Sequence, residues 1–256
     1  MNLEDIKAKF KLIGDYHTHS VYSKVGPYRH GKGEIADNVR AAAEKGLREI
    51  AITDHGPSDF YGLDLGRIPR IREEIAAAEK EFPGVKVYLG VEADIVDSPN
   101  GLDVKPEDFA KFDFVNAGYH YVPKCHFLKN LMAFNLPYPA GAKEKLRREN
   151  TDRIVKALHS NKIRVLTHPG DKAFIYEEEV AKACEETGTL VEINSRHKHP
   201  DADDLKIYAA YDVKFVINSD AHKPSNVGRY AESMALAIEA GIAPERIVNI
   251  EGSEAE

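Results

Sequence analysis

The chain has 256 residues, 43% hydrophobic and 30% charged, which suits one large globular domain with a sizeable core. Its formal net charge of −7 argues against a nucleic-acid surface built on bulk positive charge. No apolar run approaches the roughly 18 residues of a membrane span, so we expect no membrane partner. Two cysteines, Cys125 and Cys184, make no disulfide framework. We therefore expect a single domain over residues 1–256 in a reducing cytoplasm.

Short apolar segments alternate with amphipathic ones along the chain. Strand patterns lie at Lys11–His17, Glu49–Asp54, Lys86–Glu92, Phe112–His120, Arg164–His168, Thr189–Asn194 and Lys214–Ser219. Helical patterns lie at Glu34–Lys45, Ile68–Phe82, Thr151–Ser160, Glu177–Thr187, Asp203–Tyr211 and Ala231–Ala240. Strands rich in Val and Ile that alternate with helices are typical of parallel βαβ units. Seven such strands predict an α/β fold with a closed or distorted barrel, whose active site lies where the carboxyl ends of the strands meet.

The segment from Tyr121 to about Glu149 departs from this alternation. It contains no strand pattern and is punctuated by Pro123, Pro137 and Pro139. A loop this long in a compact domain often serves as a lid or a binding segment. A partly helical surface insertion fits the pattern equally well.

Polar, potentially metal-binding side chains stand at or just beyond the ends of most predicted strands. They are His17, His19, His55, Glu92, His120, His168, Asp220 and His222. A single His-x-His motif is weak evidence, because short motifs recur by chance. Five separate strands that end in histidine at the same edge of a barrel are much harder to ascribe to coincidence. The pattern therefore predicts that these side chains share one site.

The types of side chain indicate what that site binds. Residues i and i+2 of a strand point to the same side, so His17 and His19 can both face the barrel mouth. Neutral imidazole is the commonest protein ligand for metals, and a carboxylate can bridge two ions. Six or more histidines with Glu92 and Asp220 exceed what one tetrahedral ion can use. We therefore predict two to three divalent ions, with zinc, manganese or iron suited to nitrogen and oxygen ligands.

The ordered motifs resemble the PHP family, the polymerase and histidinol phosphatase domain. They are DYHTHS at 15–20, ITDHG at 52–56, GVEAD at 90–94, AGYH at 117–120, THPG at 167–170 and NSDAH at 218–222. The resemblance extends over roughly residues 12–250 and is closest to the stand-alone phosphoesterases. It implies a distorted (β/α)7 TIM-like barrel with three metals at the carboxyl ends of the strands.

The resemblance also implies which residues bind each ion. The implied sets are His17, His19, Glu92 and Asp220 for one ion; His55 and His222 with a histidine of the first loop for a second; and His120 and His168 with a bridging Glu92 for the third. His30 is the only histidine in the first loop, and we assign it to the second ion because of its ligand type.

Other polar residues admit two interpretations each. Arg196 could bind a substrate phosphate bidentately, or it could be a solvated loop arginine. Asp15 could orient an imidazole, or it could be a buried structural aspartate. We expect His197 and His199 to be surface residues.

These observations predict a metal-dependent phosphoesterase, most simply a phosphatase of a small phosphomonoester. A metal-activated water would be the nucleophile, so no further catalytic side chain is required. Amidohydrolases also begin with His-x-His, but ITDHG and SDAH tell against them. A phosphodiesterase of the nuclease or nucleotidase type and a non-catalytic metal-binding regulatory domain are compatible with the same motifs. The physiological substrate, the native metal, any general acid and the oligomeric state are left open.

Overall fold

The computed structural model describes residues 2–25, 27–121 and 127–252. Cys125 and part of the segment between Tyr121 and Glu149 lie outside these ranges. Within them, no helix is both long enough and apolar enough to cross a membrane.

The strands of the described ranges are short and mostly buried. They are β1 Phe10–Leu12, β2 Gly14–Thr18, β3 Lys24–Val25, β4 Tyr28–Arg29, β5 Glu49–Ile52, β6 Lys86–Asp94, β7 Phe114–Gly118, β8 Val165–Leu166, β9 Leu190–Asn194, β10 Phe215–Asn218 and β11 Ile250–Gly252. Seven of them form one parallel sheet in the order β10-β9-β8-β7-β6-β5-β2. The sheet curls into a nearly closed barrel, which confirms the predicted fold class.

Helices connect most of the barrel strands. They are α1 Leu3–Lys9, α2 Ile35–Glu44, α3 Ile68–Glu81, α4 Phe127–Asn135, α5 Ala140–Ser160, α6 Glu177–Thr187, α7 Ala202–Ala209 and α8 Ala231–Glu239. Their apolar faces pack on the sheet; in α3, for example, Ile68, Ile71 and Ile75 recur at helical spacing and are buried. Gly188 ends α6 in the left-handed conformation (φ 68°) that glycine adopts without a steric penalty.

The barrel closes through individual hydrogen bonds between the segments of β2 and β10. Strands β10 and β2 are not neighbours in the hydrogen-bonded sheet. Instead, Oδ1 of Asn218 accepts a hydrogen bond from the backbone N–H of Tyr16 at 2.9 Å. Beyond the strand ends, the N–H of His19 donates to the carbonyl of Ala221 at 2.8 Å. These contacts bring the first and last motifs of the sequence side by side.

A small apolar cluster takes one residue from each of the seven barrel strands. Its members are Tyr16, Ala51, Tyr88, Phe114, Val165, Leu190 and Val216. Tyr88 lies four residues before Glu92 on β6 and so points to the same face of the strand. The cluster therefore fills the amino-terminal half of the barrel interior and forms the floor beneath the polar site.

Two predicted elements differ from the structure. The strand predicted at Lys11–His17 is two strands, because β1 pairs with β11 in a separate antiparallel sheet while β2 enters the barrel. The helix predicted at Thr151–Ser160 begins eleven residues earlier, at Ala140. With α4, it makes the described part of the Tyr121–Glu149 segment mainly helical, which agrees with the interpretation as a helical insertion.

Candidate metal centre

The site is organised around Glu92, which lies near the carboxyl end of β6 and is fully buried. Oε2 lies 3.1 Å from Nε2 of His17 and 3.2 Å from Nδ1 of His55. Oε1 lies 3.0 Å from Nε2 of His168 and 3.3 Å from Nε2 of His120. One carboxylate thus meets imidazoles that come from four other strand ends.

Asp220 faces the same Nε2 atoms of His17 and His19 as Glu92 does. Its Oδ1 is 3.2 Å from Nε2 of His19 and 3.7 Å from Nε2 of His17. Nδ1 of His222 is 3.2 Å from the same oxygen. The predicted ligands His17, His19, Glu92 and Asp220 therefore lie together, as the motif pattern implied.

The predicted second set also lies together. One ligand atom from each of His19, His55 and His222 falls within 4.8 Å of the others, and all three residues are buried. The ring of His30 is 4.3 Å from that of His222 and stacks on Tyr61 at 4.3 Å with an interplanar angle of 6°. His30 is thus at the edge of this group, on the side of the first loop.

Two carboxylates contact the far ring nitrogens of predicted ligands. Oε1 of Glu192 lies 2.8 Å from Nδ1 of His17, and Oδ1 of Asp94 lies 2.6 Å from Nδ1 of His120. Such contacts fix the orientation of a ligating ring and increase its basicity. Sequence reasoning did not assign these roles, although Asp94 shares the strand face of Glu92 by its i+2 spacing and that signal could have found it.

His197 is not the surface residue that we predicted. Its ring lies between two carboxylates, with Nδ1 2.8 Å from Oδ2 of Asp171 and Nε2 2.9 Å from Oδ2 of Asp220. The loop after β9 folds back over the barrel mouth, because Oδ1 of Asn194 accepts hydrogen bonds from the N–H groups of Arg196 and His197. His199 agrees with the prediction better, since its side chain is 39% exposed and contacts Asp204 at 2.8 Å.

Arg196 and Asp15 have defined contacts. Nη1 of Arg196 lies 3.2 Å from Oδ2 of Asp220, and the arginine side chain is 42% exposed at the cavity. Asp15 is fully buried and accepts hydrogen bonds from Ser219 and from the backbone N–H of Gly228. The hydrogen bonds from Ser219 and Gly228 join β2 to the loop after β10, which supports the structural interpretation of Asp15.

A cavity of about 420 Å³ opens above the histidines. Its lining includes cluster residues together with Lys172, Arg196 and the aromatic side chains Phe60, Tyr61 and Tyr121. Two cationic side chains beside an array of potential metal ligands suit a small anionic molecule.

Comparison with known proteins identifies the family. The model of the PHP domain matches residues 15–196. The chain belongs to the PHP family.

Relatives of this PHP protein are named as phosphatases. A probable phosphatase of Thermoanaerobacter sp. strain X514 is 29% identical over 248 residues, covering 93% of this chain and 91% of the relative. A probable phosphatase of Acetivibrio thermocellus is 27% identical over 250 residues, covering 93% of this chain and 91% of that protein. Among solved structures, histidinol phosphate phosphatase from Lactococcus lactis, complexed with zinc, L-histidinol and phosphate, shares the fold. Its TM-score is 0.58 at 19% identity, with 90% of this chain and 94% of that one covered.

The backbone of the PHP site is strained at two of the predicted ligands. His168 and Asp220 have positive φ angles, 30° and 48°. Non-glycine residues rarely adopt this region, and each instance costs of order 1–3 kcal/mol. Gly118 meets a different constraint, because a Cβ there would lie 2.4 Å from Oγ1 of Thr167 and 3.0 Å from Oε1 of Glu92. The backbone at these three positions is thus constrained by where the polar side chains of the site must lie.

The carboxyl groups of Glu92 and Asp220 have lowered pKa values despite their burial. Burial would raise the pKa of the Glu92 carboxyl, but the charges on His17 and His120 hold that pKa well below its usual range. Burial also opposes ionisation of Asp220, whose pKa is nevertheless held well below its usual range by the charge on His17 and the close contact with His19. The site therefore presents fixed negative charge to a bound cation.

Other imidazoles are held neutral. Burial lowers the pKa of His19 well below its usual value, and the neighbouring His222 and His55 lower it further. Burial, with the same two neighbours, lowers the pKa of His30 to about 3. A neutral imidazole with a free lone pair is the form that binds a metal ion.

Unsatisfied atoms show that the residues fit a metal. Among the described residues, Oε2 of Glu92, Oδ1 of Asp220, Nε2 of His55 and Nε2 of His222 are buried without a hydrogen-bond partner. The imidazole nitrogens 3.1–3.5 Å from Oε2 of Glu92 lack hydrogen-bond geometry. Buried polar atoms without partners are rare in native proteins and need an explanation. Divalent cations would satisfy all four atoms.

Proposed function

We propose that this PHP protein is a metal-dependent phosphoesterase that hydrolyses a small phosphomonoester. The observation that carries the proposal is the buried Glu92 carboxylate with imidazoles from four other strand ends around it. The names of the relatives and the shared fold of histidinol phosphate phosphatase support the phosphoesterase class.

We propose two to three divalent ions, with zinc first among the candidates. Nitrogen and oxygen ligands without a thiolate suit zinc, manganese or iron. The residues that would hold them are His17, His19, His30, His55, Glu92, His120, His168, Asp220 and His222. When bound, the ions lower the pKa of a coordinated water and neutralise charge on the phosphate oxygens.

The residues of the chain itself supply orientation and substrate binding. Glu192 and Asp94 fix the rings of His17 and His120, which limits the reorganisation that ion binding requires. Arg196 is the proposed substrate-binding residue, because its partly exposed guanidinium faces the cavity beside Asp220. A guanidinium matches phosphate oxygens in a planar, bidentate geometry. Lys172 lines the same cavity and adds positive charge.

A cavity of about 420 Å³ fits a small ester better than a duplex or a long chain. The net charge of −7 also disfavours a polyanionic partner. A small phosphorylated molecule is therefore the proposed substrate class.

A substrate panel tests this proposal. The purified chain is stripped with chelator, reloaded with zinc or manganese, and assayed on phosphomonoesters, phosphodiesters, short single-stranded DNA and N-acyl amides. We expect metal-dependent release of phosphate from monoesters, with Glu92→Gln as the inactive control. Cleavage of diesters or DNA in preference to monoesters would favour a nuclease, and amide hydrolysis alone would favour an amidohydrolase.

A further inference from the structure

A chain of side chains crosses the barrel mouth from the loop after β8 to the loop after β10. It runs from Asp171 through His197 to Asp220, with contacts of 2.8 and 2.9 Å. The three side chains are 9%, 14% and 2% exposed, so water screens these contacts only weakly. Of the three residues, only Asp220 belongs to the ligand sets that the family resemblance implies.

We propose that His197 is a positioning residue that orients the carboxylate of Asp220 for metal binding, and that Asp171 in turn orients His197. The proposal rests on the proposed function, because it concerns the same metal centre. It assigns His197 to neither the metal nor the reacting atoms.

The two oxygens of Asp220 have different neighbours. Oδ1 faces His19 and His222, each at 3.2 Å, and has no hydrogen-bond partner among the described residues. Oδ2 faces the ring of His197 at 2.9 Å and Nη1 of Arg196 at 3.2 Å. A carboxylate that offers one oxygen to an ion is fixed in rotation when the other oxygen accepts a hydrogen bond.

His197 is better suited to this role than Arg196. The arginine side chain is 42% exposed, so it loses more of its interaction to solvent and can turn toward a substrate. The ring of His197 is mostly buried and is held at its other nitrogen by Asp171. It also packs 4.5 Å from the ring of His168, which places this contact beside a second predicted ligand.

Asp171 stands three residues after His168 in the loop that follows β8. Oδ2 of Asp171 contacts both Nδ1 of His197, at 2.8 Å, and the ammonium group of Lys172. The ring of His197 therefore lies between two close carboxylates, one on each side. These two contacts link the loops after β8, β9 and β10 at the metal centre.

Two amide variants separate the contacts of the ring. Gln places its amide N–H near the position of Nε2, whereas Asn places it near that of Nδ1. His197→Gln should therefore retain the contact with Asp220, and His197→Asn should lose it. His199→Gln and His199→Asn are the matched controls, because His199 contacts Asp204 instead.

The readout is zinc, measured without substrate. The full-length variants are loaded with zinc, and the release of zinc to a colorimetric chelator is followed, together with the melting temperature of each metal-free form. We expect zinc affinity to fall 10–100-fold in His197→Asn, as for other residues that orient a ligand. His197→Gln should stay within a few-fold of wild type, and the melting temperatures of the metal-free forms should agree.

Four results would overturn the inference. Wild-type zinc affinity in His197→Asn would show that His197 does not position Asp220. Equal loss in the Asn and Gln variants, or a metal-free His197→Asn that melts at a much lower temperature, would indicate a general packing role. If the wild-type chain itself retains no zinc, manganese or iron, the proposed function fails first and this inference fails with it.

Discussion

Nε2 of His17 lies 3.1 Å from Oε2 of Glu92, and both side chains are fully buried. Two residues before His17, Asp15 is buried to the same degree, yet its carboxylate bonds to Ser219 and Gly228 instead. The two buried carboxylates thus have different roles. Glu92 faces the imidazoles, whereas Asp15 links β2 to the loop after β10. Mutations of Glu92 and Asp15 should therefore have different effects on metal binding and stability.

Glu92→Gln should remove metal, whereas Asp15→Asn should mainly destabilise the fold. Gln removes the charge that faces His17, His55, His120 and His168, so we expect loss of metal binding and of metal-dependent phosphatase activity. Asn at position 15 loses an acceptor for N–H and O–H groups, at about 1–3 kcal/mol for each unsatisfied group. Metal content by elemental analysis and unfolding in urea would measure the two effects. Similar metal content in both variants would contradict the central position of Glu92.

The side chain of Asn249, in the turn before β11, joins β2 to β10 and should be a strong determinant of stability. Nδ2 donates to the carbonyls of Gly14 and Ile217 at 2.7 and 2.6 Å, and Oδ1 accepts from the N–H of Ile217 at 3.0 Å. Asn249→Ala should therefore lower the free energy of unfolding by roughly 2–4 kcal/mol, because buried backbone groups lose their partners. Chemical denaturation measures this change.

Asn135→Ala is the control for that prediction. Asn135 is exposed, and among the described residues its side chain donates to the carbonyl of Leu131, one turn earlier in α4. The free energy of unfolding should change by no more than about 0.5 kcal/mol. Equal effects at the two positions would show that Asn249 does not hold the strands together.

The barrel could be predicted because its signals are local. Each of the seven barrel strands is an apolar run that adjoins a segment with helical periodicity in the sequence. The strand Lys86–Asp94, for example, follows the helix Ile68–Glu81. The two-stranded sheet of Phe10–Leu12 and Ile250–Gly252 could not, since its partners stand at opposite ends of the sequence. Phe10–Leu12 is a strand distinct from the following barrel strand because it pairs with Ile250–Gly252, and no local pattern shows this pairing.

The predicted site residues converge because parallel strands put all their carboxyl ends at one edge. What the sequence did not reveal is the path of the loops. His197 follows strand β9 by three residues, and nothing in its neighbours distinguishes it from His199. Only the folded loop places one ring between Asp171 and Asp220 and leaves the other partly exposed.

The number of bound ions is a direct test of the cluster. Nine predicted ligands lie in the cluster or at the edge of the cluster, and this number exceeds the four ligands that one tetrahedral ion uses. We expect two to three divalent ions per chain after reconstitution with zinc or manganese, measured by elemental analysis. Because ions that bind only the folded state stabilise it, removal with chelator should also lower the melting temperature. One ion or fewer per chain would contradict the arrangement.

The variant His55→Asn tests whether His55, beyond the end of β5, is a metal ligand. The side chain is buried, Nδ1 lies 3.2 Å from Oε2 of Glu92, and Nε2 has no partner among the described residues. His55→Asn shortens the side chain and removes a nitrogen ligand, so metal occupancy and phosphatase turnover should fall at least 10-fold while the barrel core persists. His199→Asn serves as the comparison, because that residue makes a partly exposed contact worth about 0–1 kcal/mol. If His55→Asn keeps the metal content and the activity of His199→Asn, the polar end of β5 is only the beginning of a loop, and His55 leaves the proposed ligand set.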